Sequence, residues 1–338
     1  MPDFSLIIVF LLTYFLTKVA FAYVVKRGLL DYPGVRTSHE KATPRGGGIS
    51  IVVTFLVFLI WFFVSGYDQI NKTQFMSIVL GSGIVALIGF WDDHRHIPAR
   101  WRFIVQVIAA VLSLFLLDVL PTIPFFFTEL SFPLLVFPFY ILTLVWFLNL
   151  YNFMDGIDGI ACIEAITVAI AAGLIVLFHG DNTYSQILFT LAACVSGFLV
   201  WNWPPAKIFM GDASSGFLGF TLGLIAIITS QENSINLWSW FILLSVFIVD
   251  ATYTLVRRIV NGDKWYEAHR SHAYQILARK FSSHKKVSVG VFFINLIWLF
   301  PLAFLASVFH YWAPVISLVA IFPLVYIAYK VNAGFRNN

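Results

Sequence analysis

Apolar runs of about 17 to 23 residues follow one another along almost the full chain, and they limit sharply what these 338 residues can become. Only 11% of the residues are charged, against roughly 25% in a soluble domain, and 60% are hydrophobic. A soluble fold of this length would lack the polar surface to cover such a core, so the runs read as membrane-spanning helices. Roughly eleven are expected, near residues 4–25, 47–66, 74–91, 103–120, 133–151, 159–178, 186–202, 215–230, 237–256, 287–309 and 313–330. The expected fold class is all-α, a polytopic bundle of about 10 to 11 transmembrane helices.

The first run, from Phe4 to about Val25, has no basic stretch before it and no small-residue cleavage site after it, so a retained helix is expected rather than a signal peptide. Cys162 and Cys194 are the only cysteines; they lie in apolar runs without metal-ligand spacing and read as small buried hydrophobes. A formal net charge of +4 would suit nucleic acid, but in a membrane chain the distribution of Lys and Arg among loops decides. Nineteen of the 21 fall in alternate loops and the C-terminal tail, with Lys18 and Lys72 the exceptions. Basic loops stay in the cytoplasm, so the N-terminus is expected on the periplasmic side, the C-terminus in the cytoplasm, and nucleic acid is set aside as a partner. A single integral-membrane domain over 1–338 follows, with the long cytoplasmic loop 257–286 expected to close over a site on that face.

The polar residues gather in five of these loops. The first, from Asp31 to Gly48, carries Arg36, His39 and Arg45 and ends in Gly46-Gly47-Gly48 ahead of a helix, where free backbone N–H groups suit an anion. The alternative is a flexible basic loop meeting anionic lipid. Asp92 and Asp93 are adjacent carboxylates at a membrane boundary and ask for a cation or a proton; structural neutralisation by Arg95 and Arg100 is the competing reading.

Asn152, Asp155 and Asp158 fall at i, i+3 spacing, one face if the segment is helical, and oxygen ligands so spaced suit magnesium held jointly with a substrate diphosphate. A helix cap followed by glycine breaks is the alternative. The stretch from Trp201 to Ser215 adds Lys207, Phe209 and Asp212, with Phe209 either a packing residue or a surface for a base. In the last loop Arg270 and His272 sit among aromatic residues able to close over phosphates, without zinc-ligand spacing. Asp250, inside an apolar run, is expected to face the bundle interior and pair with a loop cation.

In order, the carrying motifs are Asp31-x-Pro33-x-x-Arg36-x-x-His39 with Pro44 and Gly47-Gly48, then Asp92-Asp93, Asn152-x-x-Asp155-Gly-x-Asp158-Gly, Phe209-Met-Gly211-Asp212 and Arg270-Ser-His272. Together they resemble the polyprenyl-phosphate N-acetylhexosamine-1-phosphate transferase family over most of the chain. The resemblance implies transfer of a sugar 1-phosphate from a UDP-sugar to undecaprenyl phosphate with release of UMP. It also implies Mg2+, with Mn2+ as a substitute, and a bacterial inner membrane location among membrane lipids, with the site facing the cytoplasm. A homodimer occurs in the family but has no signature in this sequence.

By position, Asp212 with Asn152 and Asp155 match metal-binding residues, and Asp158 with Phe209 the residues holding and stacking the uracil. Asp92, with its neighbour Asp93, matches the catalytic carboxylate that deprotonates the lipid phosphate. Arg36, His39, Lys207, Arg270 and His272 are the expected substrate-binding residues. The sequence His272-Ala-Tyr274-Gln275 departs from the three consecutive histidines of peptidoglycan-initiating members. It resembles the O-antigen-initiating branch, which implies UDP-N-acetylfucosamine or UDP-N-acetylquinovosamine as donor. The rival class is a secondary transporter, but carriers place polar groups at the bilayer midplane in related halves, whereas these carboxylates sit at helix ends without a repeat.

Overall fold

Every apolar run becomes a helix, because a backbone in hydrocarbon satisfies its N–H and C=O groups only within its own segment. The computed structural model describes residues 4–32, 42–66, 70–95, 97–263 and 269–335. The first four helices are α1 (Phe4–Arg27), α2 (Ile49–Val64), α3 (Lys72–His94) and α4 (Ala99–Phe115). Four more follow: α5 (Pro133–Met154), α6 (Ile160–Phe178), α7 (Asn182–Asn202) and α8 (Asp212–Gln231). The bundle is completed by α9 (Leu237–Leu243), α10 (Ser245–Val260), α11 (Ala273–Phe281), α12 (His284–Phe293), α13 (Phe300–Val308) and α14 (Ala313–Lys330). A π-helical stretch, Ile294–Leu299, joins α12 to α13 as one span of 25 residues.

Eight helices among the described residues are long and apolar enough to cross a membrane, nine if α9 and α10 are counted together. Three expected spans differ in detail. The run near 237–256 is broken into α9 and α10 with a bend of 77°. The other two are short: α2 has 16 residues, and α4 has 17 and begins Ala99-Arg100-Trp101-Arg102, so its first turn is polar. The only strands described are two small antiparallel pairs, β1 (Leu30–Asp31) with β2 (Thr43–Pro44) and β3 (Ile123–Phe125) with β4 (Thr128–Leu130).

Helix α8 is the axis of the bundle: every residue from Ala213 to Thr229 is buried. Helix backbones reach it closely through small residues, the usual substitute in lipid for a hydrophobic driving force. A Cβ on Gly89 of α3 would lie 2.6 Å from the Ala213 Cα, and one on Gly219 of α8 would collide with the Phe147 carbonyl of α5. These crossings bring the C-termini of α3 and α5 to the N-terminus of α8, at one end of the molecule.

The long loop is anchored from within the bundle. Asp250 Oδ1 accepts from the Ala273 N–H at 2.8 Å and Oδ2 from the Tyr274 N–H at 2.9 Å, capping α11. His272 Nδ1 lies 3.3 Å from the same carboxylate. The interior placement expected for Asp250 holds, and its partners among the described residues are a helix N-terminus, the His272 imidazole and the Thr254 hydroxyl.

Candidate active site

The N-terminus of α8 is held by a carboxylate from another helix. Asp93 Oδ1 accepts from the Asp212 N–H at 2.9 Å and Oδ2 from the Ala213 N–H at 3.1 Å, filling two of the donors that any helix leaves unpaired at its start. Gly211, at φ +87°, admits this approach: a Cβ there would stand 2.7 Å from Asp93 Oδ2 and 2.8 Å from the Gly46 Cα. Asp93→Ala is therefore expected to lower the thermal midpoint, a helix cap being worth about 0.5–2 kcal/mol. It should also reduce turnover, and Asp93→Asn, which keeps one acceptor, should lose less of both. Equal losses in thermal melts and activity of the two variants would refute the capping role.

Arg45 and Arg102 converge on the Asp212 side chain thus positioned. Arg45 Nη2 donates to Asp212 Oδ1, while its Nε lies 3.3 Å from Asp93 Oδ1. Arg102 Nη1 donates to Asp92 Oδ2 and also lies 3.2 Å from Asp212 Oδ2. Asn152 Nδ2 donates to Asp212 Oδ1 at 2.9 Å and to Ser215 Oγ at 3.1 Å. Burial works against the charge of Arg45, but Asp212 and Asp93, with Asp31 and Asp155 beyond them, outweigh it and hold its pKa above the ordinary arginine value.

The competing reading had Arg95 and Arg100 neutralise Asp92 and Asp93; the arginines that reach them are Arg102 and Arg45. In α4, Arg102 sits two residues from Arg100 and so on nearly the opposite side of the helix. Arg100 lies near the Trp101 ring instead. The glycine run also differs from expectation. The N–H groups of Gly46 and Gly47 donate to the Phe209 carbonyl at 3.1 and 3.0 Å and that of Gly48 to the Met210 carbonyl at 3.0 Å. These amides are not free for an anion; the run zips the Arg45 segment onto the Phe209 segment, where Cβ atoms on Gly47 and Gly48 would strike Ile208 and Ser214.

The i, i+3 face is likewise replaced by a turn. Helix α5 stops at Met154, Asp155 takes φ −82°, ψ 51°, and Gly159 at φ +76° precedes α6. The turn is clamped by Tyr274, whose hydroxyl donates to the Phe153 carbonyl at 2.9 Å and leaves no room for a Cβ on Gly156. Asn152, Asp155 and Asp158 still come together, as parts of the lining of a polar cavity of about 370 Å3. Arg45, Arg102, Phe209 and Asp212 line it too. Its size falls in the ~300–1,000 Å3 range of small-molecule sites.

Asp158 Oδ2 accepts from the Ala206 N–H at 3.1 Å and lies 3.3 Å from His284 Nδ1. Burial pushes the Asp155 carboxyl well above the usual carboxylate range, against the pull of Arg45 and with Asp212 adding to the rise.

Other expected site residues lie elsewhere. Arg36 and His39 fall outside the described residues. Lys207 is exposed, with its Nζ 5.5 Å from the Trp201 ring centroid, away from the cavity lining. His272 is turned to Asp250 and stacked between His269 and Tyr274. Arg270 is beside Arg279, which donates to its carbonyl at 2.9 Å, and burial followed by that neighbouring charge lowers its pKa. Neither lines the cavity, whereas Gln275 and His284 do. His284 opens α12 after a Ser283 cap, and the Ser283-x-x-Lys286 spacing gave no sign that its ring would turn toward Asp158.

Among the described residues no three His, Cys, Asp or Glu side chains are grouped as a ready metal cage. Magnesium does not ask for one, since it takes one or two carboxylates and fills its shell with water and phosphate oxygens. Asp155 carries no hydrogen bond or ion pair to its carboxylate among the described residues. Asp212 Oδ2 accepts from Arg102, and the Asp92 carboxyl stands within hydrogen-bonding reach of the same side chain. This donor set suits a magnesium ion shared with a diphosphate.

Residues 75–230 match the family model for glycosyl transferase family 4. Over this stretch the chain is similar to glycosyl transferase family 4. The matched region contains the Asp92-Asp93 pair and the segments around Asp155 and Asp212, while Arg45, Gln275 and His284 lie outside it. A Bacillus subtilis protein, a probable undecaprenyl-phosphate N-acetylglucosaminyl 1-phosphate transferase, is 28% identical over 299 residues, covering 87% of this chain and 81% of its own length. The undecaprenyl-phosphate alpha-N-acetylglucosaminyl 1-phosphate transferase of Thermotoga maritima is 26% identical over 292 residues, 84% of each chain. The phospho-N-acetylmuramoyl-pentapeptide-transferase of Aquifex aeolicus is 33% identical over 228 residues, 58% of this chain and 61% of the relative.

Proposed function

We propose that this protein is a family 4 glycosyl transferase that transfers an N-acetylhexosamine 1-phosphate from a UDP-sugar to undecaprenyl phosphate, releasing UMP. The carrying observation is the polar cavity at one end of the spans, in which Asp212 is fixed between Arg45 and Arg102 and Asp155 and Asp158 stand opposite. Guanidinium groups and a divalent cation are what a diphosphate calls for in a site that also presents four carboxylates. The basic loops support a cytoplasmic aspect for this end, where UDP-sugars are found.

In the proposed reaction an oxygen of the acceptor phosphate bonds to the sugar-bearing phosphorus. The bond from that phosphorus to the bridging oxygen breaks, and the oxygen leaves on UMP. A phosphate oxygen is an adequate nucleophile, so direct attack needs no covalent enzyme intermediate. Arg45 and Arg102 orient the diphosphate and meet the charge that develops on its oxygens. Asp212 and Asp155 would hold magnesium, with Asn152 fixing the Asp212 rotamer; the bound ion supplies charge neutralisation of the diphosphate. Phe209 offers its ring to uracil, and Asp158 holds the polar edge of the base.

The test is UMP release by the purified protein in detergent with undecaprenyl phosphate, Mg2+ and a panel of UDP-sugars. Release that requires both lipid and metal is expected, and no release from folded protein with any sugar would overturn the reading. For the sugar itself we propose N-acetylfucosamine or N-acetylquinovosamine, with a product that initiates O-antigen synthesis, on the sequence His272-Ala-Tyr274-Gln275. A higher kcat/KM with UDP-N-acetylglucosamine would refute that choice without touching the reaction.

A further inference from the structure

One ring in the wall of the polar cavity has no task in the proposed transfer. His284 lines that cavity at the start of α12, and with Ser288, one turn further on, it grips Asp158. Ser288 Oγ donates to the Asp158 carbonyl at 2.9 Å, and His284 Nδ1 lies 3.3 Å from Asp158 Oδ2. The same nitrogen is 3.4 Å from the Asp158 N–H. Of the two contacts the one to the carboxylate is charge-assisted, so Nδ1 carries the proton and donates to Oδ2.

Asp158 is thereby held by one oxygen and free at the other. Oδ2 accepts from the Ala206 N–H at 3.1 Å as well as from His284, whereas Oδ1 accepts from no donor among the described residues. No Lys or Arg among those residues pairs with Asp158; Arg45 and Arg102, in the same cavity, are engaged by Asp92, Asp93 and Asp212. The Asp158 side chain is 12% exposed and that of His284 19%, so the pair is confined yet open to a ligand.

Pyrimidines differ at the edge that such an oxygen meets. Uracil offers N3–H between two carbonyl oxygens, and cytosine a bare N3 beside an amino group. A mobile carboxylate serves both, because it can swing from N3–H to the amino group of cytosine, a donor that aspartate accepts well. A carboxylate pinned at Oδ2 does not swing, and against cytosine it sets lone pair to lone pair.

We propose that His284 is a positioning residue which, by pinning Asp158, makes the base subsite select uridine over cytidine nucleotides. This rests on the transferase reading and adds a specificity determinant to it.

Binding of UMP and of CMP, measured by isothermal titration calorimetry on the full chain in detergent with Mg2+, tests this without turnover. The unmodified protein is expected to bind UMP at least about tenfold tighter than CMP, as one hydrogen bond to a charged group allows. His284→Leu and His284→Ala, which remove the donor, should weaken UMP and bring the preference to about threefold or less. His284→Asn keeps an N–H at the reach of Nδ1 and should retain most of the preference. A packing role alone would lower the thermal midpoint of the variants and leave the UMP-to-CMP ratio where it was. In turnover, His284→Leu should raise the KM for the UDP-sugar by a larger factor than it lowers kcat.

An unchanged ratio in the folded Leu or Ala variant, or a loss as large in His284→Asn, would overturn the positioning role and leave the transferase reading standing. Equal affinity of the unmodified protein for the two nucleotides would do the same. Unmodified protein that binds neither would overturn this inference and the transferase reading together.

Discussion

Asp212→Asn is expected to reduce UMP release by at least about 10³-fold, because a donor pre-aimed at developing phosphoryl charge is worth about 10²–10³ and this carboxylate organises several at once. Its two oxygens accept from Arg45, Asn152 and Arg102. An amide keeps only one acceptor oxygen and turns an NH2 group toward at least one of these donors, so an arginine is displaced as well as a charge lost. The fold should survive, since the α8 cap comes from Asp93 and uses the backbone of residue 212 rather than its side chain. Activity within tenfold of the unmodified protein, at an unchanged thermal midpoint, would remove Asp212 from the reacting centre.

Asp92→Asn is expected to lower kcat by about 10²-fold or more with little change in the donor KM, the loss typical of a general base. The structure gives Asp92 two partners, Arg102 and the Ile97 N–H at 2.8 Å, and an asparagine retains the second through its remaining oxygen. Two roles then separate by pH. If Asp92 takes a proton from the acceptor, its absence matters less once the lipid arrives as a dianion, and the second ionisation of a phosphomonoester lies near pH ~6. Raising the pH from about 6 to about 8 should recover much of the lost rate. A deficit that stays constant across that range would instead make Asp92 a positioning residue for Arg102.

Much of this molecule could be read before it was seen, for a physical reason. A span announces itself because hydrocarbon imposes length and apolarity on a single stretch of sequence, so α5, α6 and α14 fall almost where the runs do. The carboxylates were legible too, as charges near a membrane boundary that need an explanation. Their partners were not. Arg45 and Arg102 meet Asp212 from 167 and 110 residues away, and which of several nearby arginines does so depends on helix phase and on how a loop is tied down.

The glycine run illustrates the same limit. Gly46, Gly47 and Gly48 have the local look of an anion cradle, yet their amides are spent on carbonyls of Phe209 and Met210. His284 carried no local mark at all, since its neighbour Asp158 comes from a turn between two other helices.

The burial of α8 has a mechanical consequence. The peripheral helix α1 has 17% of its apolar window buried and α8 has 94%, so lipid presses directly on the first and scarcely on the second. Changes in bilayer thickness or tension tilt outer helices first. The element that carries Asp212 is thereby insulated from them, and chemistry that must keep sub-ångström alignment runs on a strut shielded from a solvent that is itself fluid.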